Sequence, residues 1–559
     1  MNGIEGIANL TRRTDGDDAR ERNVAAGTAL SALVRSTLGP NGRDKMLVGN
    51  GTVVVTNDGA SIVDRVTLDS PAARLVAGVA RAQSGELGDG STAAIVLAGA
   101  LLAEAESLVE DGVHPTSVIA GYREAAGRAA GVLDEVATTP VDLETARRAL
   151  VETAITGRWD AERSAFLADL TVRAYGAARH DDAIRLENVT VHGVPGGATT
   201  ASELIDGLVV DTDASSTSLA EIAAPAPRRI EDARVAVVDD ELTVQSPTSV
   251  AGYTVEGADD LERTRTFERD EYRRFVEILT GHGVDILFCQ KSVDDGLRAE
   301  LARAGVLVFE RTRQDEVHKL GRATGARPVM RLDELDGSAV GHADEVERVT
   351  LGGGAFVIVR SASSSQVSLL LRGGPPHVVD ETERIVVDAL ALLRTFDAQP
   401  RLVPGGGACE VALARDLRTW GRGVGGRESL AVDAFADALE TIPRTLARNA
   451  GHDPIDTLLE LRHRHADGET HAGIDVEADE LGDMMARDVV EPVRLKDRVV
   501  ANATDAATLV LRIDGIVETA GNGSSGGGHD HDHDHDHDHS HAGGGFRSDP
   551  HGYPWAISH

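Results

Sequence analysis

Glu86-Leu87-Gly88-Asp89-Gly90-Ser91-Thr92 runs without a break into Ala93-Ala94-Ile95-Val96-Leu97-Ala98-Gly99-Ala100-Leu101-Leu102-Ala103. A carboxylate bracketed by glycines is followed by two hydroxyls and then by an apolar run of helical length. Glycine lets backbone N–H groups come close to an anion, and the first N–H groups of a helix have no partner inside it, so the junction has the chemistry of a phosphate seat. Asp89 cannot bind phosphate itself and needs a cation between them; Mg2+, which takes oxygen ligands, suits that place. Taken alone, the pattern also describes a plain helix start capped by Ser91 and Thr92, so its meaning depends on what surrounds it.

Towards the N-terminus, apolar residues recur at helical spacing from Asp18 to Leu38 (Val24, Ala25, Leu30, Leu33, Val34), and that helix is predicted to end at Leu38-Gly39-Pro40-Asn41-Gly42. Lys45 to Val48 and Val53 to Thr56 are β-rich runs joined by Gly49-Asn50-Gly51, the turn chemistry of a hairpin. Asn57-Asp58-Gly59-Ala60 closes the second strand with a tight turn before a helix from Ser61. These loops are close enough in sequence to converge on one ligand.

Towards the C-terminus, residues 72 to 135 read as three helices, with Pro115 at a helix start, and 142 to 178 are again helical. Short strands begin around 189 to 192. Val-rich runs at 208 to 210 and 235 to 238, a polar stretch at 245 to 270, and the run Val284 to Cys289 followed by a helix (293 to 304) and a strand (306 to 309) define an α/β segment with parallel pairing expected. Val367 to Leu371 is a further strand, leading through Arg372-Gly373-Gly374 to a helix starting near Asp380; helical texture returns from 408 to 465 after Pro404 to Gly407. The two ends share a texture that the middle lacks, so the central segment is expected to be inserted into a helical base. In residues 520 to 559, Gly/Ser linkers flank seven His at odd positions 529 to 541 alternating with Asp, and nothing there can build a core, which predicts disorder.

The length of 559 residues predicts about three or four domains. Lys plus Arg number 56 against 91 Asp plus Glu, a formal net charge of -35, which argues against nucleic acid as a partner, since its binding normally needs a basic face. Spread along the whole chain, this acidity reads as a solvated surface that stays soluble in high salt, where repulsion is screened. The two cysteines, Cys289 and Cys409, show no pairing pattern and suit the cytoplasm. No export leader is legible, and the apolar run at 93 to 103 falls short of the eighteen or so residues of a membrane span.

Taken together, the motifs resemble the group II chaperonins, the thermosome family of archaea. The resemblance lies in Leu38-Gly39-Pro40, Asp44 to Val48, Thr56-Asn57-Asp58-Gly59-Ala60, Gly88-Asp89-Gly90-Ser91-Thr92 and Val403-Pro404-Gly405-Gly406-Gly407. His114-Pro115-Thr116, Ile442 to Leu446, Asn449-Ala450-Gly451, Asp453 to Asp456 and Glu491-Pro492-Val493-Arg494-Leu495-Lys496 share it, in order from roughly residue 10 to 518. It implies a multidomain α and α/β fold: an equatorial helical domain from both chain ends (1–135 and 397–520), a small intermediate domain (136–203 and 358–396) and an inserted apical α/β domain (204–357) with a lid segment near 244–275. Residues 521–559 form the tail.

The resemblance also implies roles. Leu38, Gly39, Pro40 and the loop Gly88, Gly90, Ser91 and Thr92 would hold the triphosphate of ATP, and Asp89 would hold Mg2+. Asp58 would lie near the γ-phosphate and its water, and Asp388, in Ile385 to Leu390, would orient the attacking water. Gly406 and Gly407 would face the nucleoside and Glu491 the ribose. Hydrolysis asks for positioning and charge neutralisation rather than covalent chemistry, and closing Asp388 onto the nucleotide would tie turnover to a hinge motion. The chain is thus expected to be an ATP-dependent, cytoplasmic chaperonin subunit that encloses non-native proteins in a homo- or hetero-oligomeric double ring. The alternative is a structural ring subunit with weak or no ATPase. Three departures stand out: Ser91 replaces the family's usual Thr and keeps the hydroxyl; Arg158 replaces its usual phosphate-sensing Lys with a planar head group; and Pro247, Gly252 and Gly257 make the first half of the lid segment poor helix material. The His/Asp tail would either line the cavity as a polar, flexible segment or bind Zn2+, Ni2+ or Cu2+ loosely through its imidazoles.

Overall fold

The apolar run after Thr92 becomes the Ser91–Glu110 helix in the computed structural model, which describes residues 12–49, 52–180, 183–212, 228–244, 258–351, 353–362, 364 and 366–518. Residues 14–516 form one unit; a second, 1–13 with 517–559, is described only at 12, 13, 517 and 518. At 20 residues and a mean hydropathy of 1.7 the helix is, by length and composition alone, long enough to cross a membrane, which corrects the expectation drawn from the shorter apolar run. Its Ile95, Leu101 and Leu102 are instead at 0 % exposure in a protein core, where each such side chain contributes about 1.5–3 kcal/mol. The Gly16–Arg35, Pro71–Leu87, Glu428–Leu439 and Val493–Leu511 helices pack around it. That core draws on residues from Val24 to Leu133 and again from Val403 to Leu511, so the two ends of the chain close one hydrophobic interior.

The chain leaves this base and returns to it through one small sheet. Val189–Val194 pairs parallel with Val367–Arg372, which also pairs antiparallel with Glu203–Asp206. Between them lies a six-stranded sheet in the order Leu307–Phe309, Ile286–Cys289, Arg229–Val238, Gly341–Leu351, Gly354–Arg360, Leu208–Thr212. The expected parallel pairing holds for Ile286–Cys289 with both its neighbours. The other three pairings are antiparallel, as a short connection such as that between Leu351 and Gly354 requires. Alternate residues reach opposite faces: Val235 and Val237 join one core with Phe288 and Val357, while Ala236 and Val238 join another with Leu287 and Leu297.

The helix expected near Asp380 begins earlier, as Pro376–Ala398, because Pro376 sits in the first turn, where its missing N–H costs nothing. The first helix likewise ends at Arg35 rather than Leu38. Of the segment 244–275, residues 245–257, with Pro247, Gly252 and Gly257, lie outside the described residues, as does the tail 521–559; from Ala258 the chain forms the Ala258–Gly281 helix. Tyr272 Oη donates to Asp294 Oδ2 at 3.3 Å, and Leu279 is buried, which hold that helix against the sheet layer.

Close packing makes a sharp contrast among the helical glycines. A Cβ on Gly99 would lie 2.2 Å from Ser31 Cβ, whereas one on Gly127 would meet nothing within 4 Å. Gly99→Ala is therefore expected to destabilise by about 1–3 kcal/mol through overpacking, and Gly127→Ala to stabilise by about 0.5–1 kcal/mol through helix propensity. Calorimetric melting of the two variants checks both signs.

Candidate active site

The loops that flank the central helix meet in one cavity of about 560 Å³, whose wall includes Leu38, Gly39, Pro40, Asp58, Gly88, Asp89, Gly90, Ser91, Thr92, Arg158, Asp388, Gly406 and Glu491. These residues come from segments up to 453 positions apart, Leu38 to Glu491. Gly407 is not on that wall; it is the N-cap of the Ala408–Gly421 helix, with φ +80°.

Local chemistry explains how the loops are held. Gly88 and Gly90 both take left-handed backbone angles, φ +77° and +81°, so two helix ends fit around a single Asp89. Gly90 caps Ser91–Glu110 without a side chain, and the neighbouring hydroxyls are turned elsewhere. Ser91 Oγ donates to Asp58 Oδ1 at 2.8 Å, and Thr92 Oγ1 accepts the Gly59 N–H at 3.0 Å. Asp58 Oδ2 accepts the Ser61 N–H at 2.7 Å and so caps its own helix, Gly59–Arg65. The hydroxyls read as helix caps thus staple the 57–60 turn to the 88–92 loop, and the helix start keeps the character of an anion seat.

Electrostatically, the cavity gathers acids. Burial raises the Asp89 carboxyl above its usual range, opposed by the Gly90 N–H at 2.6 Å and by Lys496. Burial pushes Asp388 up to about 8, opposed by Arg384 and helped by Asp58, Asp89 and Glu381. At Asp58 burial also acts upwards, but Arg384 with the Ser61 and Ser91 hydrogen bonds outweighs it, and the carboxyl stays below the usual range. Among the described residues no group of three or more His, Cys, Asp or Glu forms a ready-made metal cage. A cation here would need oxygens from its ligand as well as from Asp89, which is how Mg2+ is held beside phosphates. A desolvated Asp89 carboxyl beside the uncapped start of the Ser91–Glu110 helix fits a Mg-nucleotide, while Gly406 (φ +59°) packs against Ile474, where a Cβ would lie 2.6 Å from the carbonyl oxygen.

Asp388 reaches the cavity from the Pro376–Ala398 helix, whose backbone presses on the 88–92 loop. A Cβ on Gly88 would lie 2.5 Å from Asp388 O and 2.6 Å from Ala391 Cβ. Arg158 hydrogen-bonds Asn57 Oδ1 and lies 3.8 Å from Glu381. Glu491 shares Lys496 with Glu410: the ammonium is 2.7 Å from Glu491 Oε2 and 2.6 Å from Glu410 Oε1.

Arg384, Glu381, Lys496, Glu410 and Asn57 were not singled out by sequence reasoning. Two signals were there to be read: Glu381, Arg384 and Asp388 stand at i, i+3 and i+7 on a helix, and Lys496 closes the Glu491 to Lys496 motif.

Comparison with known proteins agrees with this architecture. Residues 30–520 match the TCP-1/cpn60 chaperonin family. The chain is 41% identical to thermosome subunit alpha of Halobacterium salinarum over 511 residues, 91% of this chain and 90% of that one. It is 41% identical to thermosome subunit 1 of Haloferax volcanii, over 92% and 91% of the two chains, and 36% identical to thermosome subunit alpha of Thermoplasma acidophilum, over 91% and 93%. The chain belongs to the TCP-1/cpn60 chaperonin family. Its fold is that of a group II chaperonin, and it is an ATP-dependent chaperonin subunit.

The tightness of the Gly88 contact has a direct consequence. Gly88→Ala combines a left-handed backbone with a collision against helix backbone, each worth about 1–3 kcal/mol. Calorimetry should show a lowered melting temperature, and limited proteolysis should show the 88–92 loop exposed; a variant as stable as the parent would contradict the contact.

Proposed function

We propose that this chain binds and hydrolyses Mg-ATP in the 560 Å³ cavity and uses the cycle to enclose non-native proteins. ATPase activity is general in its family. The observation that carries the reading is the convergence of the 38–40, 57–60, 88–92 and 406 loops on one cavity with the Asp388 helix seated against Gly88. Leu38, Gly39, Pro40, Gly90, Ser91 and Thr92 bind the triphosphate. Asp89 holds Mg2+, which when bound neutralises phosphate charge. Asp58 lies beside the γ-phosphate, Asp388 orients the attacking water, and Arg158 reaches the phosphates from Asn57. Gly406 borders the nucleoside, against the apolar wall of Ile442, Leu446, Ile474 and Val490, and Glu491 takes the ribose, its carboxylate steadied by Lys496.

In this reading residues 1–135 and 397–520 form the equatorial domain, 136–203 and 358–396 the intermediate domain, and 204–357 the apical domain, with the lid near 244–275. The subunit assembles with copies of itself or with related subunits into a cytoplasmic double ring.

Two substitutions separate the roles. Asp388→Ala keeps ATP binding but loses most hydrolysis, because the phosphate and cation seat is untouched, whereas Asp89→Ala weakens Mg-ATP binding itself. Nucleotide titration beside single-turnover hydrolysis checks both, and unchanged turnover in Asp388→Ala would remove that residue from the mechanism. With burial pushing the Asp388 carboxyl up to about 8, kcat/KM, measured across pH 6 to 9, should climb as pH rises through that value and the carboxylate becomes available to water.

Charge makes a second test. At -35 per subunit, repulsion between neighbours grows as salt falls and the Debye length lengthens to about 30 Å at 0.01 M. Particles sized by light scattering should dissociate on dialysis from molar KCl into dilute buffer; rings that survive unchanged would limit the acidity to a role in solubility.

A further inference from the structure

The cavity wall holds one cation with an unusual set of partners. Arg384 lies mid-way along the Pro376–Ala398 helix with a side chain only 12 % exposed. Its Nε and Nη2 donate to Glu381 Oε2 and Oε1 at 3.0 and 2.7 Å, a two-pronged grip one turn back. Its Nη1 donates to Asp388 Oδ2 at 2.5 Å, one turn ahead. A planar guanidinium fixed at two nitrogens has its third direction fixed as well, so Glu381 aims the bond that Asp388 receives. Among the described residues no hydrogen bond claims Asp388 Oδ1, which leaves that oxygen for a water.

Glu381 is itself reached from beyond its helix. Thr56 Oγ1 donates to Glu381 Oε1 at 3.5 Å and also accepts the Asp58 N–H at 3.1 Å. Arg158 lies 3.8 Å from Glu381 and hydrogen-bonds Asn57. The turn that carries Asp58 and the helix that carries Asp388 therefore share Glu381 as an anchor.

We propose that Arg384 is a positioning residue for hydrolysis: gripped by Glu381, it fixes the orientation of the Asp388 carboxylate and makes that orientation depend on the 56–58 turn. This rests on the reading of Asp388 as the group that orients the attacking water. Lysine cannot replace it fully, since a point charge on a flexible stem cannot bridge two carboxylates in one plane. Glu381 is the second half of the device: without its charge the guanidinium stays but its aim is lost.

The test uses the assembled full-length protein with Mg-ATP and compares Arg384→Gln, Arg384→Lys, Glu381→Gln, Asp388→Asn and the double variant Arg384→Gln/Asp388→Asn. For Arg384→Gln, kcat is expected to fall about 10- to 100-fold while ATP affinity stays within about threefold. Arg384→Lys should recover part of the loss and Glu381→Gln should lie between. The double variant should be no slower than Asp388→Asn alone, because both changes remove one unit of function. A merely structural arginine would instead lower affinity, assembly and melting temperature together, with losses that multiply in the double variant. If Asp388→Asn turns over at the parental rate, the reading of Asp388 itself fails. If Asp388→Asn is inert while Arg384→Gln, or Glu381→Gln where Arg384→Gln does not assemble, keeps the parental kcat, the Asp388 reading stands and the role given to Arg384 is overturned.

Discussion

The contact between Gly88 and the backbone of the Pro376–Ala398 helix is the constraint on which the rest of the structure turns. With a Cβ there placed 2.5 Å from Asp388 O, only glycine lets the loop lie flat on the helix, and its φ of +77° is one that other residues adopt at a cost. Both demands fall on one residue. Through it, two segments 300 residues apart share one surface, and Asp388 comes to face Asp58 and Asp89 across the cavity.

Charge distribution follows a related logic. The chain carries far more acid than base, and among the described residues three of its four buried glutamates, Glu310, Glu410 and Glu440, have a cation within 4 Å. Glu440, at 1 % side-chain exposure, accepts from Arg418 and Arg462, and Glu410 and Glu491 divide Lys496 between them. Removing a partner from such a group is far more damaging than losing a surface pair, because the remaining charge stays in low dielectric. In the cavity the balance is left incomplete: Asp89 and Asp388 are both raised by burial despite Lys496 and Arg384. A site whose acids are under-compensated favours a bound cation, and that preference is built into the cavity wall.

How much of this was legible in the sequence depended on whether the signal was local. The 88–92 loop, the hairpin Lys45–Gly49 with Thr52–Thr56 and the nested helical ends could be read because glycine turns and helical spacing are properties of neighbouring residues. The mixed sheet was only half legible: Val-rich runs mark buried strands, but they do not say that Arg229–Val238 runs parallel to one neighbour and antiparallel to the other. Helix ends were misplaced where a tolerated Pro376 or the turn after Arg35 set the limit rather than the apolar pattern. The redirected hydroxyls of Ser91 and Thr92, and the Glu381 anchor, join residues 33 to 325 positions apart, which no window along the chain can show.

The same helix explains how events in the cavity can be felt far from it. Near its start, Glu383 Oε2 accepts the Gly193 N–H at 3.0 Å, and a Cβ on Gly193 would lie 2.6 Å from Val379 Cγ1. Gly193 belongs to the Val189–Val194 strand of the small sheet through which the chain enters and leaves the central segment. One helix is therefore seated at two glycine contacts, against the 88–92 loop past its middle and against that sheet near its start. Interiors packed this tightly leave little free volume at either contact, so the helix has little room to shift against the loop or the strand without displacing one of them. Glu381 lies within the contact at the sheet, Asp388 within the contact at the loop, and Arg384, which bonds to both, lies between the two. One continuous helix thus joins the cavity loop to the small sheet, and at both places it is the missing Cβ of a glycine that allows the close approach.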